Sequence, residues 1–533
     1  MRRRALLKTG VLAAGAGALA APRLASGQAR RQRVLRFAPQ ADLAILDPIT
    51  TTGFVTRNHA FLVFDTLYGW DERYRARPQM AEGHTGEDGG RTWTMTLREG
   101  LRFHDGEPAR ARDAVASLKR WGARDSFGLA VMAAVDEISA PSDRTVRWRL
   151  KRPFPLLPDA LGKVGANVAF VMPERLAAAD SATPLGEMVG SGPYRFAADE
   201  RVPGSRAVYA RFEGYAPRAD GAGASLLAGP KVAHFDRVEW LTIPDATTAA
   251  AALRRNETDW WEQPAVDLLP TLARARGVTA EVLDPTGAVA MLRFNHLHPP
   301  FDNAAVRRAV LGAVSQEDVM TAVAGQDRAL WRDGVGFFTP GSPMASDEGM
   351  EALTGPRDIA ASRRALEAAG YRGEEVLLMA PTDFPAINAM SEVAADLFRK
   401  LGMSVDYAAM DWGSALRRQA NRDAPGRGGY NAFCTYTAGV NQFNPAAHNF
   451  IRGSGPTATF GWSTSPRLEE LREEWLRSAD DGARRRIGRE MQRQAFVDVP
   501  YVPLGQFFQP TAYRDDLSGV LKGLPLFWNV KRG

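Results

Sequence analysis

The sequence predicts an α/β protein built from more than one structural unit. The chain has 533 residues, which is too long for one compact hydrophobic core and suggests about three units of 100–200 residues. Apolar residues make up 45% and charged residues 24% of the chain, as in ordinary folded globular proteins. In the second half, strand-type and helix-type patterns alternate, which is the order of a largely parallel sheet with helices on its faces.

Strand signals dominate the first part of the chain. Between Arg91 and Leu97, apolar side chains alternate with threonines, and this period of two is typical of a strand with one buried face. A helix is predicted from Arg110 to Trp121, because Gly122 stops the helical pattern. Two further strands are predicted at Val34–Phe37 and Thr145–Leu150.

The second half shows helices with clear start and stop signals. An Asp, Asn or Ser residue that can cap the N-terminus precedes each of these helical patterns. The predicted helices run from Asp302 or Asn303 to Val314, from Ser315 to Gly325 and from Asp358 to Ala369.

A strand-helix-strand-helix-strand order follows. Its five elements are predicted at residues 376–380, 387–401, 403–410, 411–421 and 430–436. Sheets of this kind bind ligands beyond the carboxyl ends of their strands. The expected binding edge therefore consists of residues 381–385, 411–412 and 437–450.

The first 29 residues have the composition of a secretory signal peptide. Arg2–Arg4 precede an apolar stretch, Val11–Ala21, that is too short to span a bilayer. Small residues at 25–29 offer cleavage sites, and the segment 3–8 resembles a twin-arginine export signal. We expect residues 1–29 to be cleaved and the mature protein to diffuse freely in the periplasm, with an uncleaved membrane anchor as the alternative.

The charge of the chain gives no sign of a nucleic-acid partner. The net charge is +6, but residues 1–29 contain five bases and no acid, which leaves 67 − 5 = 62 bases against 61 acids in the remainder. A nucleic-acid-binding protein needs a surplus of positive charge on one face.

No catalytic or cofactor signature is present in the sequence. The chain has no His-Glu-x-x-His motif, no Gly-x-Ser-x-Gly motif and no Walker-type phosphate loop. Cys434 is the only cysteine and is expected to be a buried, unreactive side chain. We therefore predict no cofactor and no catalytic residue, and an exported enzyme is the less favoured alternative to a binding protein.

Four stretches of the chain carry recognisable motifs. The most specific runs from Thr92 to Pro108, TWTMTLREGLRFHDGEP. The other motifs lie at residues 64–68 with 78–83, at 190–194, and at Asn295 with 300–302 and 306–309. In this order they resemble the bacterial extracellular solute-binding proteins of family 5, which serve peptide and nickel ABC importers.

The resemblance implies a bilobal fold of two hinged α/β lobes that close on a ligand. Lobe I would comprise residues 30–290, with an extra subdomain inserted at about 70–190, and residues 501–533. Lobe II would comprise residues 291–500. The chain would cross the hinge near Met291–Asn295 and again near Pro500–Gln506.

The resemblance also implies a function. The protein would be a monomeric periplasmic component that captures a small peptide or peptide-like solute and delivers it to the inner-membrane ABC permease. The alternative is a metal chelate, or a cationic or neutral metabolite that is not a peptide, bound in the same fold. The only candidate metal ligands would be His296, His298 and His448.

Two positions of the expected site depart from the peptide-binding members of the family. The aspartate that binds the peptide amino group there corresponds to Asn441, and the loop of the carboxylate-binding arginine has Asp383 as its only charge. Since a buried ammonium needs a full negative partner, ordinary di- and tripeptides are disfavoured and solutes with a cationic or neutral end near Asp383 are favoured. The dipeptide Trp260-Trp261 is expected to serve packing. Aromatic residues at the edge complete the predicted site, namely Trp412, Phe433, Tyr436 and Phe443.

Overall fold

A computed structural model describes residues 33–219 and 223–533 of the chain. The predicted signal peptide, residues 1–29, lies outside the described residues. Within these ranges, no helix has both the length and the apolar character that crossing a bilayer requires.

The first sheet has seven strands drawn from the beginning, the middle and the end of the chain. Val34–Ala38 lies near its centre and runs parallel to both of its neighbours, whereas the other pairs are antiparallel. Across the sheet the strands are Tyr194–Phe196, Arg206–Arg211, Arg237–Leu241, Val34–Ala38, Trp260–Trp261, Thr511–Arg514 and Val278–Glu281. Large aromatic side chains fill the core beneath it, and Phe37 is packed against Trp240, Trp260 and Phe527.

The second sheet has six strands and contains the predicted strand-helix-strand-helix-strand unit. Its strands, in order, are Trp331–Arg332, Tyr501–Phe507, Ala288–Phe294, Ala432–Ala438, Glu375–Pro381 and Ser404–Met410. The last three strands are mutually parallel, as predicted. The first three strands pair antiparallel. The expectation of a largely parallel sheet is therefore correct only for the strand-helix-strand-helix-strand unit.

A separate four-stranded antiparallel sheet lies within the segment predicted to be an inserted subdomain. Its order is Ala81–Glu87, Thr92–Leu97, Thr145–Leu150 and Val135–Ser142. Trp93 and Trp148 face each other across two of these strands. Three two-strand pairs complete the described sheets, joining Asp65–Thr66 to Phe170–Val171, Tyr68–Trp70 to Ala76–Pro78 and Leu517–Ser518 to Lys531–Arg532.

Helices cover the sheets, and the predicted caps lie at their N-termini. Asn303, Ser315, Asp358 and Asp411 each accept a hydrogen bond from a backbone N–H of the first helical turn. The α-helices are Phe54–Val63, Ala111–Gly122, Ser126–Ala134, Leu157–Gly162, Glu174–Ala177, Ala246–Arg254, Leu269–Ala273, Ala304–Ala313, Gln316–Ala324, Glu351–Thr354, Ile359–Ala368, Pro385–Lys400, Trp412–Gln419, Pro466–Arg477 and Asp481–Asp498.

The passages between the two large sheets differ from the predicted hinge. Met291–Asn295 and Pro500–Gln506 fall largely inside the paired strands Ala288–Phe294 and Tyr501–Phe507. The chain instead passes between the sheets at residues 282–287 and 508–510. The two segments that the resemblance implied for the hinge therefore lie mostly within strands of the second sheet, a few residues away from these passages.

Candidate ligand-binding site between the two sheets

A cavity of about 90 Å³ lies between the two large sheets, where the chain passes from one to the other. Trp260 and Thr511 of the first sheet and Ala288, Ala438 and Phe507 of the second line it. On the second sheet this is the edge at which Ala432–Ala438 and Tyr501–Phe507 end. The remaining lining residues are Phe54, Arg57, Glu262, Gln263, Leu283, Asp284, Gly287, Tyr436, Gln509, Gly523, Leu524 and Pro525.

Arg57 brings a buried cation to this cavity. It lies in the first turn of the helix Phe54–Val63 and is only 6% exposed. Its Nε and Nη2 donate to Oδ1 of Asn58 at 3.3 and 3.0 Å, and its guanidinium lies 4.8 Å from the centre of the Phe54 ring. The buried Nη1 has no hydrogen-bond partner among the described residues. A buried donor without a partner is costly, so a modest shift of the Arg57 side chain toward an acceptor group in the cavity it lines would be favourable.

Two carboxylates face the cavity with Arg57. Glu262 follows the strand Trp260–Trp261, and its oxygens accept from the backbone N–H of Gln40 and from Nδ2 of Asn58, both at 2.8 Å. Asp284 lies in the passage between the sheets, where its Oδ1 accepts from the N–H and the hydroxyl of Thr286 at 2.8 and 2.7 Å. These hydrogen bonds hold the carboxylates in place, and a carboxylate can accept further donors beyond them.

Burial dominates the ionisation of this cluster. It lowers the pKa of Arg57 to about 10, against the opposing attraction of Glu262 and Asp284. It raises the pKa of Glu262 and of Asp284, in each case against hydrogen bonds and the charge of Arg57, which favour the ionised form. Burial thus disfavours the charged form of all three groups, and each of them, when ionised, needs a partner of opposite charge.

Tyr436 is the one predicted site residue that lines the cavity. Burial raises the pKa of its hydroxyl, which therefore stays protonated at neutral pH and can donate or accept a hydrogen bond. Its ring contacts Phe507, with centroids 5.1 Å apart, and Phe384, with centroids 6.1 Å apart. Phe384 in turn contacts Trp412 at 5.4 Å, so an aromatic row leads from the cavity to the outer edge of the second sheet.

Asp383 and Trp412 lie at the far end of this row, away from the cavity lining. Asp383 is exposed, and its Oδ1 accepts from the backbone N–H of Trp412 at 2.8 Å. The carboxylate thus joins two strand-end loops. The structure brings these two predicted residues together as expected, but it does not place Asp383 among the cavity residues.

The other three predicted residues contact protein rather than the cavity. Phe433 is buried on the other face of the sheet in a cluster with Tyr430 and Trp462, because neighbouring side chains of a strand alternate between faces. The ring of Phe443 is packed against that of Tyr74, 4.5 Å away. Asn441 donates to the hydroxyl of Thr437 at 2.9 Å.

The histidines proposed for a metal site form no metal-binding group among the described residues. His448 is buried, with Nε2 3.1 Å from the hydroxyl of Tyr501, and burial holds its pKa well below the usual range. Nε2 of His298 donates to the carbonyl of Arg422 at 2.7 Å. Within residues 33–219 and 223–533, no three His, Cys, Asp or Glu side chains are grouped as a metal site would require.

Sequence reasoning missed the charged residues of the cavity. Arg57 had a sequence signal, since three polar residues, Arg57-Asn58-His59, directly precede the apolar run Ala60–Phe64. In the structure the helix residues from Thr56 to Val63 are all buried. Glu262 directly follows Trp260-Trp261, which was assigned to packing. Trp260 is indeed fully buried, and its Nε1 donates to Oγ1 of Thr511 at 2.7 Å, but it also lines the cavity.

Residues 75–455 match the family described as bacterial extracellular solute-binding proteins, family 5. The chain is also 33% identical over 535 residues to a probable peptide ABC transporter periplasmic-binding protein of Sinorhizobium fredii, and the match covers 99% of both chains. This chain belongs to the family-5 solute-binding proteins.

Solved structures agree on the fold of this solute-binding protein. The periplasmic binding protein AgaA of A. tumefaciens R10, in complex with agropinic acid, matches with a TM-score of 0.79 and 20% identity, over 94% of this chain and 99% of that one. The dipeptide binding protein of Pseudoalteromonas sp. SM9913, in complex with Met-Leu, matches with a TM-score of 0.76 and 19% identity, over 94% and 100%. The bilobal periplasmic-binding-protein fold predicted from the motifs is thereby confirmed.

Two of the sequence motifs of this solute-binding protein contact each other directly. Nδ1 of His104 accepts from the backbone N–H of Gly190 at 3.3 Å, and Nε2 donates to the carbonyl of Gly192 at 3.0 Å. Burial lowers the pKa of His104 to about 4, which keeps the ring neutral for this pair of bonds. A Cβ on Gly190 would lie 2.0 Å from the carbonyl oxygen of Val63, so only glycine allows this approach. His104 therefore has a structural role, because it joins the motif at residues 92–108 to the motif at residues 190–194.

Proposed function

We propose that this protein is the periplasmic substrate-binding component of an ABC importer and that it holds a small, peptide-like solute in the cavity between the two sheets. The observation that carries this proposal is a cavity whose wall comes from both sheets and includes Arg57, a buried guanidinium whose Nη1 has no hydrogen-bond partner among the described residues. A relative from Sinorhizobium fredii is named as a probable peptide transporter component, which supports a solute of the peptide class.

We place the two lobes according to the two large sheets. Lobe I takes the described residues up to the passage at 282–287 and those beyond 508–510, and lobe II takes the strands and helices between these passages. The inserted subdomain then contains the four-stranded sheet from Ala81 to Leu150. A solute in the cavity contacts groups of both lobes, so its binding free energy stabilises the closed arrangement over the open one.

Within this proposal the predicted site residues have different roles. Tyr436 forms part of the wall, and Asp383 and Trp412 form the outer rim of the aromatic row. Asn441 and Phe443 contact lobe I instead, next to Gly165 and Tyr74. Phe433 supports the sheet from its other face.

The mature protein would act as a monomer and would pass its solute to the membrane permease of the importer, which recognises the closed form. The bound compound would be released unchanged, since the protein acts as a carrier rather than an enzyme.

Native purification followed by mass spectrometry of the released solute tests the function. We expect a stoichiometric small solute, a higher melting temperature when it is added back, and its recovery without chemical change. The variant Tyr436→Ala should weaken binding about tenfold, because it removes a wall of the cavity. Phe460→Ala, which alters an aromatic residue that is 41% exposed, is the matched control. Turnover of the solute by pure protein, or equal binding by both variants, would contradict the proposal.

A further inference from the structure

The charged groups of the cavity do not neutralise one another. Of the seventeen lining residues, Arg57, Glu262 and Asp284 are the three with charged side chains. One guanidinium faces two carboxyl groups, so the cluster has a formal charge of −1 when all three groups are ionised. A net charge enclosed in a protein interior is unfavourable unless a group of opposite sign comes close to it.

The hydrogen bonds to these carboxylates come from neutral groups. Glu262 is bonded by the backbone of Gln40 and the amide of Asn58, and Asp284 by the backbone and hydroxyl of Thr286. Neutral donors orient a carboxylate without cancelling its charge. The negative charge of the cavity therefore remains available to a ligand.

The walls of the cavity suit a compact organic cation. Phe54, Trp260, Tyr436 and Phe507 line it, and aromatic rings attract positive charge in a desolvated site, as the contact between the Phe54 ring and Arg57 already shows. An anion bonded to the guanidinium of Arg57 would satisfy its free donor. It would also make the total charge of ligand and cluster −2. A solute with both a cationic group and an acceptor oxygen satisfies the carboxylates and Arg57 together.

We propose that the cavity selects a small solute of net positive charge, whose protonated amine or guanidinium lies against Glu262 and Asp284 and whose carboxylate or carbonyl oxygen accepts from Nη1 of Arg57. Basic amino acids and short peptide derivatives that carry a free cationic side chain belong to this class. This inference rests on the proposed binding function. It moves the cationic preference from Asp383, which is exposed at the rim, to the two carboxylates inside.

Isothermal titration calorimetry with matched probes tests the charge preference. The mature protein, dialysed exhaustively, is titrated with L-arginine, with L-citrulline and with L-glutamate. L-citrulline has nearly the shape of L-arginine but no side-chain charge, so shape and charge are separated. We expect L-arginine to bind at least tenfold more tightly than L-citrulline and L-glutamate to give no heat of binding.

Variants of the carboxylates locate the preference. Asp284→Asn and Glu262→Gln should each reduce the ratio of L-arginine to L-citrulline affinity at least fivefold. Glu257→Gln removes the same charge from an exposed position outside the cavity and should leave the ratio unchanged. Circular dichroism and the melting temperature identify any variant that does not fold. If one carboxylate variant fails to fold, the affinity ratio of the other one tests the placement.

The released solute separates failure of this inference from failure of the proposed function. A neutral or anionic solute in the native protein, or L-citrulline binding as tightly as L-arginine, would leave the binding function intact and overturn the cationic class. Retention of the full ratio in both carboxylate variants would overturn the placement at Glu262 and Asp284. A released solute of net positive charge would support the inference, whereas no released solute and no heat from any probe would remove both proposals.

Discussion

The variant Gly165→Ala perturbs a close contact between the two lobes as we propose them. An ideal Cβ on Gly165 would lie 1.8 Å from Oδ1 of Asn441 and 3.0 Å from its Cγ. Asn441 comes three residues after Ala438, which lines the cavity. Because 1.8 Å is far inside van der Waals contact, the Asn441 side chain would have to rotate away or the lobes would have to separate.

The size of the effect follows from the hydrogen bond that would be lost. Rotation of Asn441 breaks its bond of 2.9 Å to Oγ1 of Thr437, and such a bond contributes about 1 kcal/mol net. Because the contact joins residues that we place in different lobes, this cost falls on the closed arrangement, and the affinity for the solute should decrease about fivefold. Gly186→Ala is the matched control, since a Cβ there meets nothing within 4 Å.

A double-mutant cycle in titration calorimetry with the recovered solute tests this reasoning. Asn441→Ala removes both the clash and the hydrogen bond, so Gly165→Ala should have no further effect in its presence. The reasoning would be refuted by wild-type affinity in Gly165→Ala, or by effects of the two substitutions that simply add.

Three further outcomes are expected. Lys231→Met should lower the free energy of unfolding by about 3–5 kcal/mol in urea titrations, because it leaves the carboxylate of Asp65 buried without its cation. Adding Asp65→Asn should recover part of this loss. No recovery in the double variant would contradict the account. Burial lowers the pKa of His59 to about 3. Below pH 6.5 the His59 side chain therefore binds a proton in the unfolded chain but stays neutral in the folded protein. Stability should therefore fall with pH between about 6 and 3, and His59→Gln should flatten that slope by about 1.4 kcal/mol per pH unit. N-terminal sequencing of periplasmic protein should begin near Gln28 or Arg30, and a retained Met1 would contradict signal cleavage.

Local patterns in the sequence were sufficient for most of the individual elements. Capping residues and following glycines located the helices that begin after Asn303, Ser315 and Asp358, because a helix terminus is settled by hydrogen bonds within a few residues. The alternation at Thr92–Leu97 predicted a strand for the same reason, since adjacent side chains point to opposite faces. The motifs placed the whole chain in a family and so predicted the bilobal fold.

The cavity was decided by the tertiary structure. Arg57, Glu262, Asp284 and Tyr436 are far apart in the chain, and they meet because the first sheet gathers distant parts of the chain and the second sheet ends against it at the cavity. Their functional character also depends on burial and on which hydrogen bonds remain unmade, and neither property exists before the chain is folded. Asp383 and Phe433 lie in the loop and the strand that the local pattern predicted, but neither lines the cavity. Asp383 is exposed in its loop, and Phe433 points to the other face of its strand. Both properties depend on neighbours that are distant in the sequence.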